Sequence, residues 1–225
     1  MILSHGRRYV FVHIPKTAGT AMALALESRA MRDDIMLGDT PKARKRRRRL
    51  AGAKVRGRLW KHATLTDIDG LVTPDELSGL FAFTLVRNPW DRAVSYYHWL
   101  RTQSFDHPAV DRARTLGFEA FTLDPETRAT AQAWPAARYM RRADGVEQCQ
   151  AYIRIEHFAE DAAPLWDHLG FVLELERINP SSRSPDYRPY FSDATAEAIA
   201  LDCAEDIARF GYGFDQIAAD CSDDR

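Results

Sequence analysis

Two short apolar runs, each ending at a positively charged turn and each followed by a stretch of helical pattern, organise this chain. In the first, Val10, Phe11, Val12 and Ile14 are the β-branched and aromatic residues of a buried strand, and Pro15, with no N–H to give a ladder, closes it. The Ala- and Leu-rich residues 21–28 then predict a helix that ends before Asp33 and Asp34. In the second run, the apolar residues 81–86 predict another strand. Asn88 is a good N-cap and Pro89 a good first helical residue, so a helix starts there and carries Arg92, Ser95 and Trp99 on one face. Residues 151–155 read as a further strand, followed by an amphipathic helix over 158–169. A short strand is expected at 55–60, a short helix from Gly117, and one long final helix over 193–210 with Ser192 as its cap; residues 215–225 read as a frayed tail. Strands alternating with helices predict a three-layer α/β fold, a mainly parallel sheet with helices on both faces, in a single domain over 1–225.

The strand-to-helix turns are where such a sheet binds ligands. In the first turn Gly19 permits close backbone approach, the N–H groups of a starting helix point into the loop, and Lys16 adds a mobile positive charge. Pro15, Lys16, Thr17, Ala18, Gly19 and Thr20 thus read as an anion-binding loop. It is not a nucleoside-triphosphate P-loop, because G-x-x-x-x-G-K-[ST] places its lysine after the second glycine and Lys16 precedes Gly19. An ordinary turn with a surface lysine stands beside that reading. In the second turn Arg87 follows its strand directly and Ser95 lies about two helical turns further on. An arginine fork with a hydroxyl suits a phosphate monoester.

Taken together, His13-Ile-Pro-Lys-Thr-Ala-Gly-Thr20 and Arg87-Asn-Pro-Trp-Asp-Arg-Ala-Val-Ser95 resemble the two phosphate motifs of the carbohydrate sulfotransferase superfamily. The first is similar to its 5′-phosphosulfate loop, the second to its 3′-phosphate motif, R-[DN]-P-x-x-R-x-x-S. The segments at 152–161 and 209–214 resemble later parts of the family, while 31–58 and 101–148 match it least. The resemblance implies a P-loop-like fold and 3′-phosphoadenosine-5′-phosphosulfate (PAPS) as sulfuryl donor, with adenosine-3′,5′-bisphosphate as product. It implies an acceptor hydroxyl on a carbohydrate and no metal. It also implies a histidine general base after the strand between the two motifs, the place that His62 holds, with Lys16 on the leaving phosphate oxygen. His13 would brace the loop, and His98, His157 and Glu156 read as structural. In the segment 178–190, which in the family closes over the nucleotide, Ser181, Ser182, Arg183 and Arg188 are candidate donors to the 3′-phosphate; an Asn-Pro/Ser turn cluster is the plainer reading. The glutamine that the family usually carries near the acceptor is absent after Pro135.

Charge changes this picture in one place. Residues 41–61 hold eleven of the 31 Lys and Arg and none of the 32 Asp and Glu, so a formal charge of −1 conceals a basic segment within an otherwise acidic chain. That run reads as a recruiter of the anionic donor and acceptor or as a solvated loop. Nucleic acid is disfavoured, because no aromatic residues interleave the charges to stack on bases. Three cysteines, Cys149, Cys203 and Cys221, make neither a metal spacing nor an even disulfide set. With no apolar leader before Tyr9 and no apolar run of membrane length, a cytoplasmic, soluble, bacterial-type protein is expected, whereas animal members of the family are typically Golgi membrane proteins. Two other classes stand beside this reading. One is a P-loop-type nucleotide kinase, which needs an acidic Mg²⁺ ligand where this chain has Arg87. The other is a non-catalytic binder of anionic polymers through 41–61.

Overall fold

The computed structural model describes residues 1–176 and 184–216. In chain order the elements are β1 (Ile2–Ser4), β2 (Tyr9–Val12), α1 (Gly19–Ser28), β3 (Ile35–Met36), α2 (Pro41–Arg46), α3 (Pro74–Ser78), β4 (Phe81–Val86), α4 (Pro89–Arg101), α5 (Pro108–Thr115), α6 (Phe118–Leu123), α7 (Pro125–Ala133), α8 (Ala136–Tyr139), β5 (Ala151–Arg154), α9 (Phe158–Asp161), α10 (Ala163–Leu169), α11 (Asp193–Asp202) and α12 (Ala204–Phe210). The described residues fall into two compact units: 1–86 with 136–176, and 87–135 with 184–216.

The first unit is α/β. Its sheet has the order β3-β1-β2-β4-β5, in which β2, β4 and β5 run parallel while β1 is antiparallel to both of its neighbours. The expected mainly parallel sheet is therefore a mixed one. Two short strands supply the antiparallel half: β1 pairs Ile2 with Phe11 in β2 and Ile2 with Met36 in β3. Parallel strands buried on both faces explain the unbroken apolar runs of β2 and β4. Phe11 stacks on Phe83 of β4 with centroids 5.2 Å apart, and Met22, Ala23 and Leu26 of α1 with Ala162 and Leu165 pack into the same core. Each such buried side chain contributes about 1.5–3 kcal/mol relative to exposure.

Three sequence expectations fail here for local reasons. Residues 55–60 form bends and irregular chain rather than a strand. Their N–H groups go to a neighbouring turn, Arg56 to the Asp69 carbonyl and Gly57 to that of Asp67, and no strand lies alongside. The helix expected over 158–169 breaks at Ala162, where Pro164 opens the first turn of α10. The final helix breaks at Cys203, whose φ of −113° leaves the helical range between α11 and α12.

The second unit is helical. Trp90 and Val94 of α4 pack with Ile199, Tyr187 and Tyr212 in one core, and Tyr97 and Leu100 with Val110 and Phe121 in another. Helix α4 starts as expected: the Asn88 side chain accepts from the Trp90 and Asp91 N–H groups, and Pro89 follows. Ser192 caps α11 in a reciprocal arrangement with Thr195. Among the described residues no helix is long and apolar enough to cross a membrane.

Candidate functional site

In the first unit, β2 ends at Val12 and the chain turns through residues 13–18 into α1. Two non-glycine residues of that turn have left-handed backbones, Lys16 at φ 67° and Ala18 at φ 59°. Alternation of this kind curls successive N–H groups towards one side, the concave arrangement that receives anions. Thr17 is buried and its hydroxyl donates to the Ile14 carbonyl at 2.9 Å, which pins the turn and leaves its backbone N–H as its polar offering. No side chain caps α1, and no acid stands in its first turn. Among the described residues the N–H groups of Thr17, Ala18, Gly19 and Thr20 have no acceptor, the first bonded amide being that of Ala21, to the Ala18 carbonyl at 3.0 Å. A starting helix with unclaimed amides carries a partial positive charge.

Gly19 is required by more than the turn. A Cβ placed there would stand 2.0 Å from Cδ2 and 2.4 Å from Nε2 of His13, so the imidazole occupies the space that any side chain would need. The His13 ring is buried, stacked on Phe11 with centroids 6.0 Å apart and meeting the His62 ring edge-on at 4.5 Å. Burial first, then His62 and the neighbouring cations Lys61 and Lys16, hold its pKa well below the ordinary imidazole value, so the ring is neutral near pH 7.

His62 stands beside this loop. Its Nδ1 lies 2.7 Å from the His13 carbonyl oxygen. A carbonyl can only accept, so Nδ1 is the protonated nitrogen, and the neutral ring carries its lone pair on Nε2. Trp60, 40% exposed, meets His62 edge-on at 5.0 Å, and the Arg58 guanidinium lies 5.2 Å above the Trp60 ring. The preceding cation, Lys61, pairs with Asp39 at 3.2 Å. His62 therefore occupies the expected neighbourhood, but it is delivered by a pinned turn rather than by a strand.

The second unit holds the other motif. Arg87 is the residue after β4, and its guanidinium joins Asp91, the acid in the first turn of α4. Ser95 is half-buried, and its hydroxyl has no hydrogen-bond partner among the described residues. Arg188 is tied to Asp186 at 2.9 Å, an ion pair that spends its fork locally. Ser182, with Ser181 and Arg183, lies outside the described residues. The basic run is partly helical: α2 is followed by a 3₁₀ turn over Arg47–Leu50. Arg46 donates to the Asp34 carbonyl at 3.0 Å and Arg49 to that of Arg32 at 2.6 Å, while Arg44, Lys45 and Arg48 project into solvent.

Comparison with family models, with curated proteins and with solved structures found no match to this chain. Sequence reasoning missed the Asp91 partner of Arg87 and the approach of His13 to Gly19. The i,i+4 spacing of Arg87 and Asp91 carried the first signal. Nothing in the chain order announced the second.

Proposed function

We propose that the protein is a PAPS-dependent sulfotransferase that moves the sulfuryl group to an acceptor hydroxyl, on a carbohydrate if the motif resemblance extends to the acceptor. The observation that carries this reading is the row of unclaimed N–H groups at residues 17–20 beside His62, whose lone pair is fixed on Nε2. On this reading those N–H groups and Lys16 hold the 5′-phosphosulfate of the donor. Arg87, oriented by Asp91, and Ser95 hold its 3′-phosphate, so binding remote from the sulfur fixes alignment. His62 Nε2 takes the proton of the acceptor hydroxyl as its oxygen bonds to sulfur. The bond from sulfur to the phosphate oxygen breaks in line, and adenosine-3′,5′-bisphosphate leaves. The charge growing on that oxygen meets Lys16 and a preorganised set of amides.

The mixed sheet supports the placement of the loop at the carboxyl end of a strand with a parallel neighbour, β4. Thermal stabilisation tests the reading. Adenosine-3′,5′-bisphosphate without divalent metal should raise the melting temperature more than ATP with Mg²⁺. The reverse order would favour a nucleotide kinase, and no response to either would leave only a polyanion binder.

A further inference from the structure

The mechanism above leaves the His13 side chain without a task. The residue is 6% exposed, its ring makes no hydrogen bond among the described residues, and its nitrogens are not among the fully buried atoms left without a partner, so a ligand can reach them. A polar ring with no protein partner and a reachable nitrogen can hydrogen-bond a ligand. Its position supplies one. The Cδ2–Nε2 edge of the ring lies against the Cα of Gly19, the first residue of the ten-residue helix α1, whose N–H is among the four without an acceptor. Phe11 stacks on the ring and His62 meets it edge-on, which packs the imidazole against the loop.

We propose that His13 is a catalytic residue whose ring N–H donates a hydrogen bond to an oxygen of the phosphosulfate seated on residues 17–20. The proposal rests on the sulfotransferase reading for the identity of the anion. The chemistry suits a neutral ring: a neutral imidazole keeps one N–H, and no proton leaves it during transfer. A fixed donor in a buried site is worth more to a growing oxyanion than one in water, and it needs no reorganisation at the moment of reaction. The His13 carbonyl meanwhile accepts the Nδ1–H of His62 at 2.7 Å, so one residue sets both the donor to the leaving oxygen and the orientation of the base.

The test is ring-¹⁵N NMR of the intact protein titrated with inorganic sulfate and, separately, with adenosine-3′,5′-bisphosphate, alongside kinetics of His13→Leu and His13→Gln. Both ligands should move the His13 ring N–H with the same saturation curve as the Gly19 and Thr20 amides. His13→Leu should lower kcat by roughly 10²–10³-fold, the cost of one lost oxyanion donor, with adenosine-3′,5′-bisphosphate affinity changed only a few-fold. His13→Gln, which restores an N–H, should recover part of the rate; a merely structural role would not distinguish the two. Movement of the loop amides with a stationary His13 ring overturns the proposal and leaves the sulfotransferase reading intact. If sulfate moves His13 but adenosine-3′,5′-bisphosphate binds no more tightly than sulfate, the sulfotransferase reading falls and the anion contact stands. Should His13→Leu fail to fold, the titration of the unaltered protein still decides.

Discussion

Arg87 and Asp91 meet at a single carboxylate oxygen: Arg87 Nε donates to Asp91 Oδ2 at 2.7 Å, and Nη2 lies 2.6 Å from the same atom. Both side chains are largely buried, 17% and 15% exposed. The carboxylate grips one edge of the guanidinium and fixes its plane, which is the condition for a bidentate contact to a phosphate. Arg87→Ala should weaken adenosine-3′,5′-bisphosphate binding by about 1.5–3 kcal/mol, the range for a charge-assisted bond. Calorimetry against 5′-AMP is the control, because equal affinity for nucleotides with and without the 3′-phosphate would remove Arg87 and Ser95 from the site.

The arginines of the basic run divide by what they touch. Arg46 reaches the Asp34 carbonyl and Met36 Sδ, so Arg46→Ala should destabilise the first unit by about 1 kcal/mol, read as a lower urea midpoint. Arg44, Lys45 and Arg48 are exposed. Changing all three to Gln should leave that midpoint unchanged and lower the salt needed to elute the protein from immobilised heparin, since exposed charges act through a screened field. Unchanged elution would return these residues to the status of a solvated face.

In the second unit the acid side of the stability curve should depend on Asp202. Its side chain is 1% exposed and receives Arg128 Nε at 2.8 Å, Arg128 Nη2 at 2.9 Å and Gln132 Nε2 at 2.7 Å. Burial pushes its pKa up, but these hydrogen bonds more than offset that and leave it below the ordinary carboxylate value. A depressed folded-state pKa contributes stability that is complete above the unfolded value, near 4, and is lost as pH falls through the folded one. Asp202→Asn should therefore flatten the decline in urea midpoint below about pH 4. An unchanged slope would place the acid sensitivity elsewhere.

Much of the local structure around the candidate site could be read from residue order, and the losses have physical causes. The loop after β2 and the Asn88–Pro89 start of α4 are local features, set by Pro15, Gly19 and a cap whose chemistry acts within a few residues. Strands β1 and β3, of three and two residues, are too short to show a period, so the antiparallel half of the sheet left no pattern to find. Residues 55–60 have strand-like alternation, but Gly57 packs against Asp67, where a Cβ would come within 1.9 Å of the carboxylate, and the pairing that makes a strand is absent. His62 was singled out through the family resemblance, by its place between the two motifs. Its hydrogen bond to the His13 carbonyl spans 49 residues, a contact no local pattern encodes.

That hydrogen bond carries the mechanistic prediction. With Nδ1–H committed to a carbonyl, only Nε2 of His62 can accept the proton of an acceptor hydroxyl, and it can do so only while the ring is neutral. General-base catalysis is worth about 10²–10⁴-fold, so His62→Ala should lower kcat by that order while adenosine-3′,5′-bisphosphate still binds. A base must be deprotonated to act, so activity should fall as pH drops through its titration, and this acidic limb should vanish in His62→Ala. Lys16→Ala should also slow transfer but keep the limb, because Lys16 meets leaving-group charge and abstracts no proton. If His62→Ala retains near-normal kcat and the same acidic limb, His62 is not the base, and Glu156 and His13 become the next residues to substitute.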